Sequence, residues 1–235
     1  MQVKKKILLV VATVLLLIGG FFIYYINDYY RAQQTALNIV DEMREEDGNL
    51  YFDGTTTTGF IIYPGGKVDE RAYAALAKEL HQNGDTVVIV EVLFHLSILD
   101  NNVAKSVIEN NPQIENWYLI GHSLGGTSAS IFASENPELI SGIIFLGSYT
   151  YKDLRNYSFA CLIITGSNDK VLNHEKALAA EEWYPSNTKW SVIEGGNHAY
   201  YGDYGNQAGD GVAAISPQQQ QRETVDIILN WINQE

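Results

Sequence analysis

A single cysteine, Cys161, serves 235 residues, which excludes an internal disulfide. It lies inside the apolar run FACLIIT and reads as a small buried hydrophobe, with a catalytic thiol as the alternative. Positive charge is scarce as well: 15 Lys and Arg stand against 28 Asp and Glu, for a formal net charge of −13. Lys4, Lys5 and Lys6 are the only charged residues before Asp28, so taking away their +3 leaves −16 on the remainder. Such a body repels nucleic acid and anionic membrane surfaces, which argues against a phosphate-backbone ligand. The phosphate-loop pattern G-x-x-x-x-G-K-[ST] and the calcium-loop pattern D-x-[DN]-x-[DN]-G are both missing, so neither phosphate binding nor a bound metal is expected. Internal repeats are lacking. The only biased tracts are TTTT at 55–58, an exposed strand or turn, and QQQQ at 218–221, a helix N-terminal surface.

What is present begins with an uncharged, mostly apolar stretch from residue 7 to residue 26. Twenty helical residues span about 30 Å, the thickness of a bilayer core. The three lysines before it predict a cytoplasmic N-terminus, with Tyr24, Tyr25, Tyr29 and Tyr30 in the far interface and the acidic body outside the cytoplasm. A cleaved signal peptide is the competing reading, but the run exceeds the usual apolar region and no small-x-small site follows it. The expected organisation is therefore a transmembrane signal anchor over 1–26, a polar stalk or helix over 27–49 and a catalytic domain over 50–235. Within the stalk, Ala36, Ile39, Val40 and Met43 recur at helical spacing, so part of it can pack on the domain.

After residue 49, short runs rich in Val, Ile, Phe and Tyr alternate with helical patterns. The runs are LYFDG, GFIIYPGG, DTVVIVEV, NWYLIGHS, SGIIFLGS, ACLIITGSND and TKWSVIEGGNH. Helices are expected near 69–82, 101–110, 124–135, 173–183 and 217–233. Nearly continuous hydrophobic strands mean burial on both faces, so the expected fold class is α/β: a doubly wound, mostly parallel sheet flanked by helices. Ligands of such sheets bind at the carboxyl ends of the strands.

The residues that follow each run are therefore the ones to weigh. GHSLG, residues 121–125, fits G-x-S-x-G and stands between a strand and a helix, the context of a nucleophile elbow at Ser123. A strand-to-helix turn with a capping serine is the alternative. A serine nucleophile needs a base. Of five histidines, His81 and His174 read as solvated surface groups and His122 as a packing or oxyanion-side neighbour. His198, in EGGNHAYYG, follows the last apolar strand on a glycine-flanked loop. Asp169, in TGSND, follows the preceding strand and supplies the carboxylate that an imidazole base requires, or else forms a turn. Ser123, Asp169 and His198 thus occur in the chain order Ser, Asp, His, each beyond its own strand. Backbone N–H groups of Leu124 and Gly66, the latter in YPGGK, are the expected oxyanion donors.

GHSLGG, GSND and GGNHA together make the chain resemble the α/β-hydrolase superfamily over roughly residues 50–235, and in particular its small, cap-less, dienelactone-hydrolase-like members. The resemblance implies a Ser-His-Asp hydrolase that acts on a small-molecule ester without metal or cofactor. Where many esterases carry HGGG, this chain has YPGG, with Pro64 at the histidine position. Thioester, amide or carbon–carbon bond hydrolysis by the same triad, and a silent binding domain of the same fold, are the alternatives. About ten residues separate SGIIFLGSYT from ACLIITGS, too few for a helical cap. Access to the site then falls to AYYGDYGNQAGDGVAAISP, as a mobile rim or an irregular surface loop, and EVLFHLSIL either lines the pocket or belongs to the core.

Overall fold

The computed structural model describes residues 2–234. Helix α1 (Gln2–Asn27) projects from the body, and its apolar stretch is unburied. Its length and apolarity fit a membrane anchor and equally a signal sequence. Two short elements follow, α2 (Gln34–Val40) and β1 (Arg44–Glu46). Of the stalk or helix expected over 27–49, residues 34–40 form a helix that packs on the body, and a short strand follows it. Ala36 of α2 is fully buried, and β1 pairs antiparallel with β2 (Asn49–Phe52) as the edge of the main sheet. All three residues of β1 are exposed, so the strand has no apolar alternation by which to be read. Arg44 holds Asp53 through two hydrogen bonds of 2.7 Å, and its charge protects the open edge.

The remaining strands are β3 (Thr58–Tyr63), β4 (Thr86–Ile89), β5 (Asn116–His122), β6 (Gly142–Leu146), β7 (Ala160–Gly166) and β8 (Lys189–Ile193). They form one eight-stranded sheet in the order β1-β2-β4-β3-β5-β6-β7-β8, parallel from β4 to β8. Period-two alternation sends Phe60 and Ile62 to one face and Ile61 and Tyr63 to the other. The first face packs against α3 (Ala74–His81) and α7 (Pro217–Ile232), through Leu76, Leu80, Val225 and Ile228. The second packs against α4 (Val103–Asn110) and α5 (Leu124–Glu135), through Val107, Ala129 and Phe132. Burial on both faces is why the inner strands β3 to β7 are largely hydrophobic, whereas the edge strands β1 and β8 are largely exposed. The expected doubly wound sheet is observed, and the expected helices near 69–82 and 173–183 are each shorter, with 3-10 turns at Glu70–Tyr73 and Glu181–Trp183 beside α3 and α6 (His174–Ala179). No helix interrupts the connection from β6 to β7. Cys161 lies fully buried on β7, where burial pushes its thiol up, away from nucleophilic use.

Candidate active site

β5 lies between β3 and β6, so its carboxyl end opens at the middle of the sheet edge. Ser123 comes next, with φ 51° and ψ −119°, a backbone state that costs a side-chain-bearing residue on the order of 1–3 kcal/mol. Three bonds hold it there. Its N–H donates to the Leu146 carbonyl at 3.0 Å, and its own carbonyl accepts from the Gly126 N–H at 3.0 Å and the Ser148 hydroxyl at 2.6 Å. A Cβ on Gly125 would overlap the Tyr63 carbonyl oxygen, so the turn needs glycine there. The Ser123 hydroxyl makes no capping bond to α5, which removes the support for the capped-turn alternative.

Asp169 follows β7, with its side chain fully buried. One carboxylate oxygen accepts from the N–H groups of Val171 at 2.9 Å and Leu172 at 2.8 Å. The other meets Nδ1 of His198 at 2.8 Å. A carboxylate only accepts, so the proton of a neutral His198 sits on Nδ1 and Nε2 carries the lone pair. That Nε2 is buried and has no hydrogen-bond partner among the described residues. Ser123 and His198 line one cavity of about 220 Å³, together with Leu124, Gly147, Ser148 and Tyr149. No hydrogen bond joins Ser123 to His198 among the described residues, a looseness common in the absence of substrate. Gly147, at φ +50°, is required by this packing: a Cβ on it would lie 2.9 Å from the Asp169 carboxylate and 3.0 Å from His198 Nδ1. Tyr149 also borders a larger groove of about 560 Å³, lined by Tyr151, Lys152, Lys176 and Trp183, which holds none of the three residues.

The two expected oxyanion donors are adjacent, since a Cβ on Gly66 would approach Leu124 Cδ2 to 2.9 Å. Neither N–H donates to a carbonyl or side chain among the described residues. Gly65 is different, because its N–H is committed to the Tyr73 hydroxyl at 2.9 Å. That hydroxyl then donates to His122 Nδ1 at 2.6 Å, and His122 Nε2 donates to the His198 carbonyl at 3.0 Å. Burial pushes the pKa of His122 well below its ordinary 6.5, with the neighbouring His198 adding to the effect. His122, a packing neighbour by the sequence, therefore ties three loops together as a neutral imidazole.

Several supports have weak sequence signals. Gln220 is not a surface glutamine as QQQQ suggests. It is fully buried and clamps Asn197 beside His198, accepting from its N–H at 3.0 Å and donating to its carbonyl at 2.7 Å. Asp210 accepts from the N–H of Ala199 at 2.9 Å and of Lys170 at 3.3 Å, bridging the histidine and acid loops. His174 is exposed, as expected, and its Nε2 also meets the Asp169 carbonyl at 3.0 Å, while His81 stacks on Phe52 with 5.0 Å between ring centres. The loop after His198 is pinned to the body by buried Tyr201 and Tyr204. EVLFHLSIL is divided: Val92 belongs to the core and Ser97 is buried, Leu93, Phe94 and Leu99 stand exposed, and none of the segment lines the Ser123 cavity.

A model of the alpha/beta hydrolase family matches residues 59–222. Similar solved structures include an alpha/beta hydrolase enzyme from the metagenome of sediments of the Mar Chica lagoon, Morocco. It is 18% identical over 82% of this chain and 98% of that one, with a TM-score of 0.63. The monoacylglycerol lipase of Paleococcus ferrophilus is 13% identical over 77% of this chain and 98% of that one, with a TM-score of 0.60. For the dienelactone hydrolase of Anabaena variabilis the values are 15%, 77%, 90% and 0.55. At these identities the likeness is one of fold. No curated protein matches. The family match spans the strands that carry Ser123, Asp169 and His198 and the loops that follow them, and on that match the chain belongs to the alpha/beta hydrolase family.

Proposed function

We propose that this protein is a serine hydrolase that cleaves carboxylic esters through an acyl-enzyme. Ser123 attacks the acyl carbonyl, His198 takes the proton on Nε2 and returns it to the leaving alcohol, and Asp169 holds the imidazole in that tautomer. The N–H groups of Leu124 and Gly66 stabilise the oxyanion, at a value of about 2.7–4 kcal/mol per donor. Water then attacks the acyl-enzyme by the same route in reverse. The observation that carries the reading is the buried 2.8 Å contact of Asp169 with His198, whose unpaired Nε2 shares a cavity with a strained Ser123.

The small cavity suits the reacting acyl or alcohol group, and a longer arm of the substrate can pass Tyr149 into the larger groove. The names of the lipase and the dienelactone hydrolase of similar fold fit ester chemistry. We read α1 as an uncleaved anchor with the N-terminus in the cytoplasm and the body outside it, from Lys4, Lys5 and Lys6 before the apolar run. The domain then starts at α2, ahead of residue 50.

Wild-type protein is expected to turn over p-nitrophenyl acetate and to label with a fluorophosphonate, and Ser123→Ala to lose both. Labelling that survives in Ser123→Ala overturns the assignment of the nucleophile. A wild-type protein that neither labels nor turns over the ester points instead to a silent binding domain.

A further inference from the structure

The end of α1 does not leave the body on a slack linker. Tyr30 forms a parallel bridge with Val68, with only two residues between it and the end of α1 at Asn27. Both intervening residues are held: Asp28 pairs with Lys67 at 2.7 Å, and the Tyr29 ring lies 3.9 Å from that of His95. Higher on α1, Tyr25 sits under the Lys67 ammonium at 4.6 Å, and Phe22 packs edge-on against Phe94 at 5.3 Å. Phe22 precedes Ile26, the last apolar residue of the stretch, by four positions. At 1.5 Å per residue, Phe94 therefore stands about 6 Å inside the end of the apolar span.

Phe94 is held at that depth against backbone preference. Phe94 and His95 have φ of 56° and 55°, a left-handed pair that bulky side chains avoid. Leu93 beside them is 53% exposed, and Phe94 keeps 37% exposure even against Phe22. Lys67 beside them pairs with Asp28 and Arg71 with Asp69, and His95 contacts Glu70 at 3.1 Å. The Lys67 N–H donates to the His95 carbonyl at 2.7 Å, which fixes the apolar loop to the residue next to Gly66.

We propose that this edge, with Leu93 and Phe94 at its tip, is seated on the bilayer that α1 crosses. The Ser123 cavity then takes its ester from an amphiphile resident in that leaflet. The occupant of the apolar edge is the lipid surface itself, because the Tyr30–Val68 bridge and the contacts of Tyr25 with Lys67 and Phe22 with Phe94 hold that edge beside the apolar span. This inference rests on the anchor and hydrolase readings above.

Two measurements on the full chain in phosphatidylcholine vesicles separate it from those readings. Cys161 is the only cysteine and is buried, so Leu93→Cys carries a single accessible thiol for a nitrobenzoxadiazole probe. Nitroxide-labelled lipids are expected to quench that probe, and not one placed by Glu115→Cys at the opposite end of the sheet. An unquenched probe at position 93 overturns the seated edge, as does a mature chain recovered without residues 1–27. The second measurement compares water-soluble 4-methylumbelliferyl acetate with vesicle-embedded 4-methylumbelliferyl oleate. Leu93→Asp with Phe94→Asp is expected to lower turnover of the embedded ester at least tenfold and that of the soluble ester less than twofold. Equal losses on both esters, or none on either, overturn delivery from the membrane. A quenched probe with no turnover of either ester by wild type overturns the hydrolase reading, and with it the delivery of substrate, while leaving the seated edge.

Discussion

The two halves of the site are supported in different ways. Asp169 and His198 sit on loops after β7 and β8 that the body alone secures: Val171, Leu172, Asp210 and Gln220 all bond to them or their neighbours. Gly66, on the loop after β3, has α1 and the segment after it for neighbours, since Lys67 bonds Asp28 and Tyr30 and its N–H meets the loop that touches Phe22. Dense buried hydrogen bonds hold Asp169 and His198 in one geometry. The Gly66 loop is instead tied through Lys67 to the segment that follows α1 and to the loop of Phe94. His122 and Tyr73 are the bridge between these halves.

Breaking the body-held half gives the largest expected effect. Asp169→Asn keeps the size of the side chain but presents an amide in place of the acceptor, so His198 loses its working tautomer, and kcat is expected to fall by about 10⁴. Steady-state kinetics with p-nitrophenyl acetate measures it, and a loss below about tenfold would remove Asp169 from the mechanism. Tyr73→Phe tests the bridge. It strands the Gly65 N–H and the His122 Nδ1 while leaving the Asp169 contact intact, so kcat is expected to drop on the order of tenfold with KM nearly unchanged. An unaltered rate would mean that the Gly65–Gly66 loop keeps its place without the bridge.

Gln220→Leu probes stability on the body-held side. Two buried hydrogen bonds to Asn197 vanish, at a cost of about 1–3 kcal/mol for each group left unpaired. For a chain of this size each kcal/mol lowers Tm by about 2–4 °C, readable by calorimetry. The smallest effect is in pH. His122 is depressed in the folded state, so the stability it contributes is complete above its ordinary pKa near 6.5 and is lost as pH falls below that value towards the folded one. Wild-type Tm should therefore decline below about pH 6.5, and His122→Gln should flatten that part of the profile. An equally steep decline in the variant would place the titration elsewhere.

The sheet was legible because burial on both faces writes long runs of Val, Ile, Leu and Phe, such as GFIIY and SGIIFL, which only the interior of a parallel sheet tolerates. β1 was not legible, because REE is an exposed edge strand whose partner is set by tertiary pairing with Asn49, Leu50 and Tyr51. Among the site residues, Ser123, Asp169 and His198 could be named from chain order and strand ends, since a residue just past a parallel strand has to emerge at one edge. Gln220 could not be named, because a glutamine in a polar tract has no signature that distinguishes a buried clamp from a solvated surface.

The sequence by itself determined the α/β architecture, the apolar N-terminal span and the three residues worth testing, because hydrophobic period and turn chemistry are local properties of the chain. Tertiary structure alone decided that Asp169 meets His198 at 2.8 Å, that Tyr73 and His122 join the loops, and that Phe94 rests on Phe22. Those contacts join residues 29, 49, 76 and 72 positions apart. No local preference encodes such a distance; packing of the helices on the twisted sheet does.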